Sequence, residues 1–292
     1  MLSPSGNLSC LRSRHWAAII LLFLLHGAAV AQPDDARAII NKVMEKLGGI
    51  NTACYQLTYC EKVFETGKMR RGSSDIKYRK TTQRVYMKTE NGTELLWGPD
   101  LNDGDVLVHP SSFPFFNLSL NPDGYWMRKD QHHGVQDIGF QYLSVVLNAA
   151  IKRAGDRFSD YFTYAGDTTL CGTNCLKIKV AAPRFGYIKY KVGKGENIIT
   201  IARNLALNEY LVLKHNPGTG SYTDVKEGQT ILISTDYAPL VELCIDKHTL
   251  IPLMLQVNDE KGLFEQYIYR NLVINPAMDE SEFSKDYKDY HF

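Results

Sequence analysis

The stretch from Tyr187 to Thr235 limits the fold more tightly than any other part of this chain. Tyr190 and Val192 fall on one side of a short strand, because strand side chains alternate. Gly195 ends that strand in a turn. Asn197 is placed to cap a helix with Ile198, Ile201, Ala202 and Leu205 on one face. Asn208 is placed to cap a second helix carrying Val212 and Leu213, and Pro217 stops it. Gly228 then turns the chain into a last strand with Ile231 and Ile233 on one face. The pattern predicts strand, helix, helix, strand over 187–235.

With its Gly195-Glu196-Asn197 turn, Ile201-Ala202 step, Asn216-Pro217 and Gly228-Gln229, this stretch resembles a LysM module. The resemblance implies binding of N-acetylglucosamine-containing glycans such as peptidoglycan or chitin. It implies a shallow groove between the turn after the first strand (Gly195, Glu196, Asn197, Ile198) and the loop after the second helix (Asn216, Pro217, Gly218). Backbone amides and carbonyls there would read acetamido groups while apolar atoms cover the sugar face.

The first 31 residues read as a secretory leader. Arg12 and Arg14 precede an apolar run from Trp16 to Leu25, too short to span a bilayer, and Ala29-Val30-Ala31 forms a cleavage site. The mature protein is expected to begin at Gln32, without a transmembrane segment, in the periplasm or cell envelope. Charge is balanced, with 33 basic and 32 acidic side chains, so no electrostatic case exists for nucleic acid or an anionic surface as partner. Five cysteines follow the leader. In an oxidising compartment Cys171 and Cys175, flanking a hairpin turn, or Cys175 and Cys244 on strands that pair, are the disulfide candidates. Cys54 and Cys60 on one straight strand lie too far apart to bond. Cys171-x-x-x-Cys175 lacks the second pair of a zinc site.

The rest of the chain alternates apolar and polar residues between turn signals, as half-buried antiparallel strands do. One helix is expected over Asp34–Leu47, and a second over Val135–Arg153 with Ile138, Tyr142, Val145 and Val146 inward. Strand chemistry of one kind stops at Pro183 and resumes after Pro239. The 187–235 unit is therefore expected as an insertion in a hairpin loop of an outer domain formed by 32–183 and 236–292, which is topologically cheap when the unit's ends lie close together. One helix followed by many strands, with the hairpin Leu243-Cys244-Ile245-Asp246 to Ile251-Pro252-Leu253, resembles the LolA/LolB lipoprotein-carrier fold. Glu94–Trp97, Asp105–Pro110 and Met127–Gly134 resemble a bacterial envelope family that carries Arg-x-x-x-His-Pro before a helix, where Gly134 here replaces the proline. The expected class is α+β: an antiparallel half-barrel sheet with helices packed on its concave face, plus the inserted βααβ unit.

Arg128, Asp130, His132, His133 and Asp137 form the densest polar cluster. Such a set suits proton transfer or metal binding, but equally the capping and tying-down of the helix that follows. Asp100 to Asp105 superficially resembles a calcium loop; its glycine is misplaced and its twelfth position is Ser111, so it reads as a hairpin turn. The Phe113-Pro114-Phe115-Phe116 run is expected in core or rim packing, or along a lipid cavity. No catalytic set and no metal- or cofactor-binding motif is recognisable. The expected function is a non-catalytic binding protein, holding peptidoglycan through the insert and an apolar ligand or protein partner in the outer domain. The alternatives are a lipid or lipoprotein chaperone and a wall-modifying enzyme targeted by the insert.

Overall fold

The computed structural model describes residues 33–292, so the leader lies outside the described residues. Helix α1 (Pro33–Gly48) is followed by a meander of β1 (Thr52–Lys62), β2 (Met69–Arg79), β3 (Arg84–Thr89), β4 (Glu94–Trp97), β5 (Val106–His109) and β6 (Leu118–Leu120). Then come α2 (Tyr125–Arg128), α3 (Gln141–Ala154), α4 (Phe158–Tyr161) and the hairpin β7 (Phe162–Leu170) with β8 (Thr173–Ala181). The next elements are β9 (Tyr187–Lys191), α5 (Ile198–Leu205), α6 (Glu209–Lys214) and β10 (Thr230–Ser234). The chain ends with β11 (Leu240–Asp246), β12 (Pro252–Asp259), β13 (Gly262–Ile274) and a tail.

Eleven strands form one open antiparallel sheet in the order β6-β5-β4-β3-β2-β1-β13-β12-β11-β8-β7. Strands β9 and β10 pair separately, Tyr187 opposite Ser234. Their connections leave from neighbours in the large sheet, where Ala181 of β8 pairs with Leu240 of β11. The Thr235 amide donates to the Gly186 carbonyl at 2.9 Å, so the chain enters and leaves the β9–β10 segment through adjacent strands.

Period-two alternation divides the large sheet into two faces. Val85, Leu95, Trp97, Ile178, Leu243 and Ile245 point inward, where α1 (Ile40, Val43, Leu47), α3 (Leu143, Leu147) and α4 (Phe158, Tyr161) cover them. Tyr86 and Leu96, the alternate residues, point outward and are covered by the C-terminal tail. Tyr290 stacks on Tyr86 at 3.7 Å between ring centroids, and His291 Nδ1 lies 2.6 Å from the fully buried Glu94. Removing Tyr290–Phe292 uncovers both and is expected to lower stability by roughly 2–3 kcal/mol, about one buried aromatic side chain plus a charged hydrogen bond. Urea unfolding of the truncated chain would show this as a lower midpoint at unchanged slope.

Four expectations change. The second helix does not begin at Val135: a single 3-10 turn covers Val135–Asp137 and α3 starts at Gln141. Gly139 between them has φ +105°, and a Cβ there would stand 2.5 Å from the Tyr78 ring, so close packing breaks the helical run. Val145 faces out at 44% exposure; Leu143 and Leu147 take its place inside. Phe113, Phe115 and Phe116 are exposed on the β5–β6 loop and line neither of the two cavities described below. All five described cysteines are free thiols. Register is the reason, since Cys175 pairs across with Thr168 and Asp246 and Cys244 with Lys177, so neither candidate partner stands opposite Cys175. Cys171 is the exposed residue of the turn (φ 49°), while Cys175 and Cys244 share a small outer-face cluster with Met254.

Candidate functional site

The β9–β10 segment lies against the sheet along a buried polar seam. Asn208 caps α6 by accepting from the Leu211 amide at 3.0 Å, and Glu209 follows as the first helical residue. Helices this short are fixed by packing rather than propensity. Here Leu211 and Val212 enter the segment's core and Tyr210 packs on Phe264 of β13, leaving Asn208 and Glu209 buried.

Glu265 of β13 is the hub of the seam and is 0% exposed. One carboxylate oxygen accepts from Tyr237 Oη at 3.0 Å and Asn208 Nδ2 at 3.1 Å, and stands 3.4 Å from His133 Nε2. The other lies 2.6 Å from His132 Nδ1. His132 Nε2 faces the Lys62 carbonyl at 3.0 Å, and its ring stacks on Tyr210 and lies tilted against Phe264. Burial alone would raise the Glu265 carboxyl, but the neighbouring His133 and His132 outweigh it and hold the group below the usual carboxylate range. Burial likewise opposes a charge on His133, yet Glu265 lifts that imidazole to about 9.

A second buried pair lies beside the hub. Arg128 and Glu209 form an ion pair with both side chains 2% exposed. The guanidinium also sits 4.6 Å over the Tyr222 ring, whose hydroxyl donates to the Gln131 carbonyl at 3.0 Å. Burial raises the Glu209 carboxyl against the pull of Arg128. Gly134 permits this arrangement, since a Cβ there would meet Arg128 Nη1 at 2.5 Å. Asp137 accepts from the Gly134 amide at 2.9 Å, and Arg203 of α5 bonds Gln136 at 2.6 Å. One ligand atom each from His133, Asp137 and Glu209 lies within 4.8 Å of the others.

The polar end of an apolar pocket adjoins this seam. The pocket has a volume of about 120 Å³ and lies between α3 (Leu143, Leu147, Ala150) and the sheet (Leu57, Val241, Leu255). His133 and Tyr237 line its polar end. A second, more polar cavity of about 420 Å³ shares Asp137 and Tyr142 with it and is bounded by Trp97 and Arg203.

Four of the five residues in the sequence cluster (Arg128, His132, His133 and Asp137) meet here, and Asp130 contributes only a left-handed turn residue, φ 57°. The sequence did not reveal the seam roles of Glu265, Glu209, Asn208, Tyr237 and Tyr267, whose hydroxyl donates to Glu61 at 2.6 Å and stands 3.5 Å from Glu265. Glu265 had a readable signal, because it shares the inward face of β13 with Tyr267 and Tyr269. A lone acid on an apolar strand face calls for a partner.

The residues of the expected glycan groove lie in the β9–β10 segment, and most make internal bonds. Glu196 accepts from Tyr190 Oη at 3.0 Å and the Gly193 amide at 2.8 Å. Asn197 caps α5 through the Thr200 amide at 2.9 Å. Ile198 is fully buried, so its side chain offers no contact to a ligand. Asn216 clamps the end of α6 to β10, donating to the Val212 and Leu232 carbonyls at 2.7 Å each. Gly195, Pro217 and Gly218 are exposed.

Fold and seam together define an α+β protein with an open antiparallel sheet of eleven strands and an apolar pocket under one helix. Residues 54–187 match the family model described as "Protein of unknown function (DUF1571)". No curated protein matches the chain. Among solved structures it is similar to the MucA/MucB complex of Pseudomonas aeruginosa, at 14% identity and TM-score 0.37, covering 86% of this chain and 60% of that one. It is also similar to the lipoprotein LppX of Mycobacterium tuberculosis, at 11% identity and TM-score 0.39, covering 85% and 99%. A LolA superfamily protein from Nitrosomonas europaea is similar at 10% identity and TM-score 0.33, covering 86% and 98%. The chain spans about 62% of the length of MucB. Among the described residues no helix is long and apolar enough to cross a membrane.

Proposed function

We propose that this chain is a non-catalytic binding protein of the cell envelope whose α3 pocket takes an apolar chain end or ring. The observation that carries this reading is the pocket itself: nearly all its walls are aliphatic or aromatic, with His133 and Asp137 of the seam, Asp236 and Arg153 as its few charged or imidazole side chains. Its volume of about 120 Å³ is close to the roughly 150 Å³ of dry apolar cavities that hold a benzene-sized solute. The leader-like N-terminus supports the compartment. A lipid and a protein partner present the same apolar chemistry to this pocket.

Ala150 is the residue to change, because a larger side chain there fills the pocket from α3. Ala150→Phe is expected to weaken binding of a fluorescent acyl probe at least ten-fold and leave the far-UV circular dichroism spectrum unchanged. A probe affinity equal to that of the wild type would remove the pocket from the reading.

A second reading is glycan binding by the LysM-like segment. It is favoured by Gly195, Pro217 and Gly218, which stay exposed while the seam engages α6 and Tyr222. Sedimentation with insoluble peptidoglycan, weakened by Pro217→Asp, is the expected result. No retention even at low salt would end it.

A further inference from the structure

We propose that His133, Asp137 and Glu209 form a binding site for one divalent ion of the zinc class, completed where the βααβ segment meets the sheet. The three candidate ligand atoms lie within 4.8 Å of one another and come from two parts of the chain: His133 and Asp137 from the loop before α3, Glu209 from α6. An imidazole with two carboxylates is a ligand set that suits zinc and other first-row ions, whereas calcium and magnesium take oxygen ligands.

Each candidate ligand is already oriented by a partner behind it. His133 directs Nε2 at Glu265 (3.4 Å) and at Tyr237 Oη (3.2 Å), and its Nδ1 is buried with no hydrogen-bond partner. A carboxylate behind a histidine fixes the tautomer and frees the other nitrogen for a metal. One oxygen of Asp137 is held by the Gly134 amide at 2.9 Å. One oxygen of Glu209 is held by Arg128. Such outer partners are half of what a metal site needs, and each of the three candidate ligands has one.

Charge points the same way. The carboxylates gathered here are Asp123, Asp137, Glu209 and Glu265. The guanidiniums facing them are Arg128 and Arg203. Arg203 stands 3.6 Å from Asp137 and 3.9 Å from Asp123, and Asp123 Oδ1 is buried without a hydrogen bond. An ion bound here would bridge the loop before α3 to α6 and hold the segment against the sheet beside the pocket.

The test is isothermal titration of the chelator-stripped protein with zinc chloride, with cobalt(II) absorption as the spectroscopic readout. The expected result is one zinc per chain, cobalt ligand-field bands in the visible, and a melting temperature that rises with zinc concentration. Affinity should fall at least ten-fold in His133→Ala and in Asp137→Asn. The asparagine variant keeps an oxygen acceptor for the Gly134 amide, so it stays informative if the alanine variant does not fold. Magnesium and calcium should produce no comparable heat. The proposal is overturned if the wild type takes up no zinc, or if folded Asp137→Asn binds zinc and shows cobalt bands as the wild type does, which would place the metal on other side chains.

Discussion

Glu265→Ala is expected to cost roughly 3–5 kcal/mol of stability, the range for removing one member of a buried charged network. The carboxylate is fully buried and receives Tyr237, Asn208 and both histidines. Without it, each donor keeps its own desolvation cost and has no acceptor. In a chain of this size such a loss lowers the melting temperature by roughly 6–10 °C. The His133 imidazole, held up to about 9 by Glu265, should fall back toward its ordinary value of 6.5. Thermal unfolding and a proton-detected histidine titration check the two halves separately. Glu265→Gln keeps the shape and an acceptor but removes the charge, so it should cost less than the alanine variant. If Glu265→Ala melts within a degree or two of the wild type, the seam does not bind the segment to the sheet.

Local rules made some of this structure legible and tertiary contacts hid the rest. The helix caps Asn197 and Asn208 were readable because capping is decided within four residues. The antiparallel α+β class was readable from alternation, and the large sheet bears it out. The break at Gly139 was not readable, because its cause is the Tyr78 ring, sixty-one residues away in sequence. The exposed Phe113, Phe115 and Phe116 defeat a hydrophobicity argument for the same reason: composition does not say whether anything covers a loop. The cluster from Arg128 to Asp137 was visible as a density of polar residues. Its role was not, since His132 and His133 meet Glu265 across more than 130 residues of chain. The cysteine expectation failed on register, which a one-residue slip inverts and which no spacing in the sequence reveals.

Arg128→Met should likewise destabilise by roughly 3–5 kcal/mol, by stranding Glu209 in a site where its side chain is 2% exposed. The partner lost is the ion pair itself, while the methionine keeps much of the stem's packing over Tyr222. Burial already raises the Glu209 carboxyl, so without Arg128 it should take up a proton rather than remain charged. The cost should therefore be larger at neutral pH than at pH 4–5, where protonating a carboxyl is easier. Adding Glu209→Met removes the stranded group, and the double variant should recover most of the loss, because a buried pair replaced by apolar residues of similar size is often neutral. Denaturant unfolding of the two single variants and the double closes the cycle. Strong non-additivity would show that Arg128 and Glu209 act on each other across the seam. Additive and small effects would mean that the segment is held by its apolar contacts, Tyr210 on Phe264 above all, and that the charges only tune a docking already made by packing.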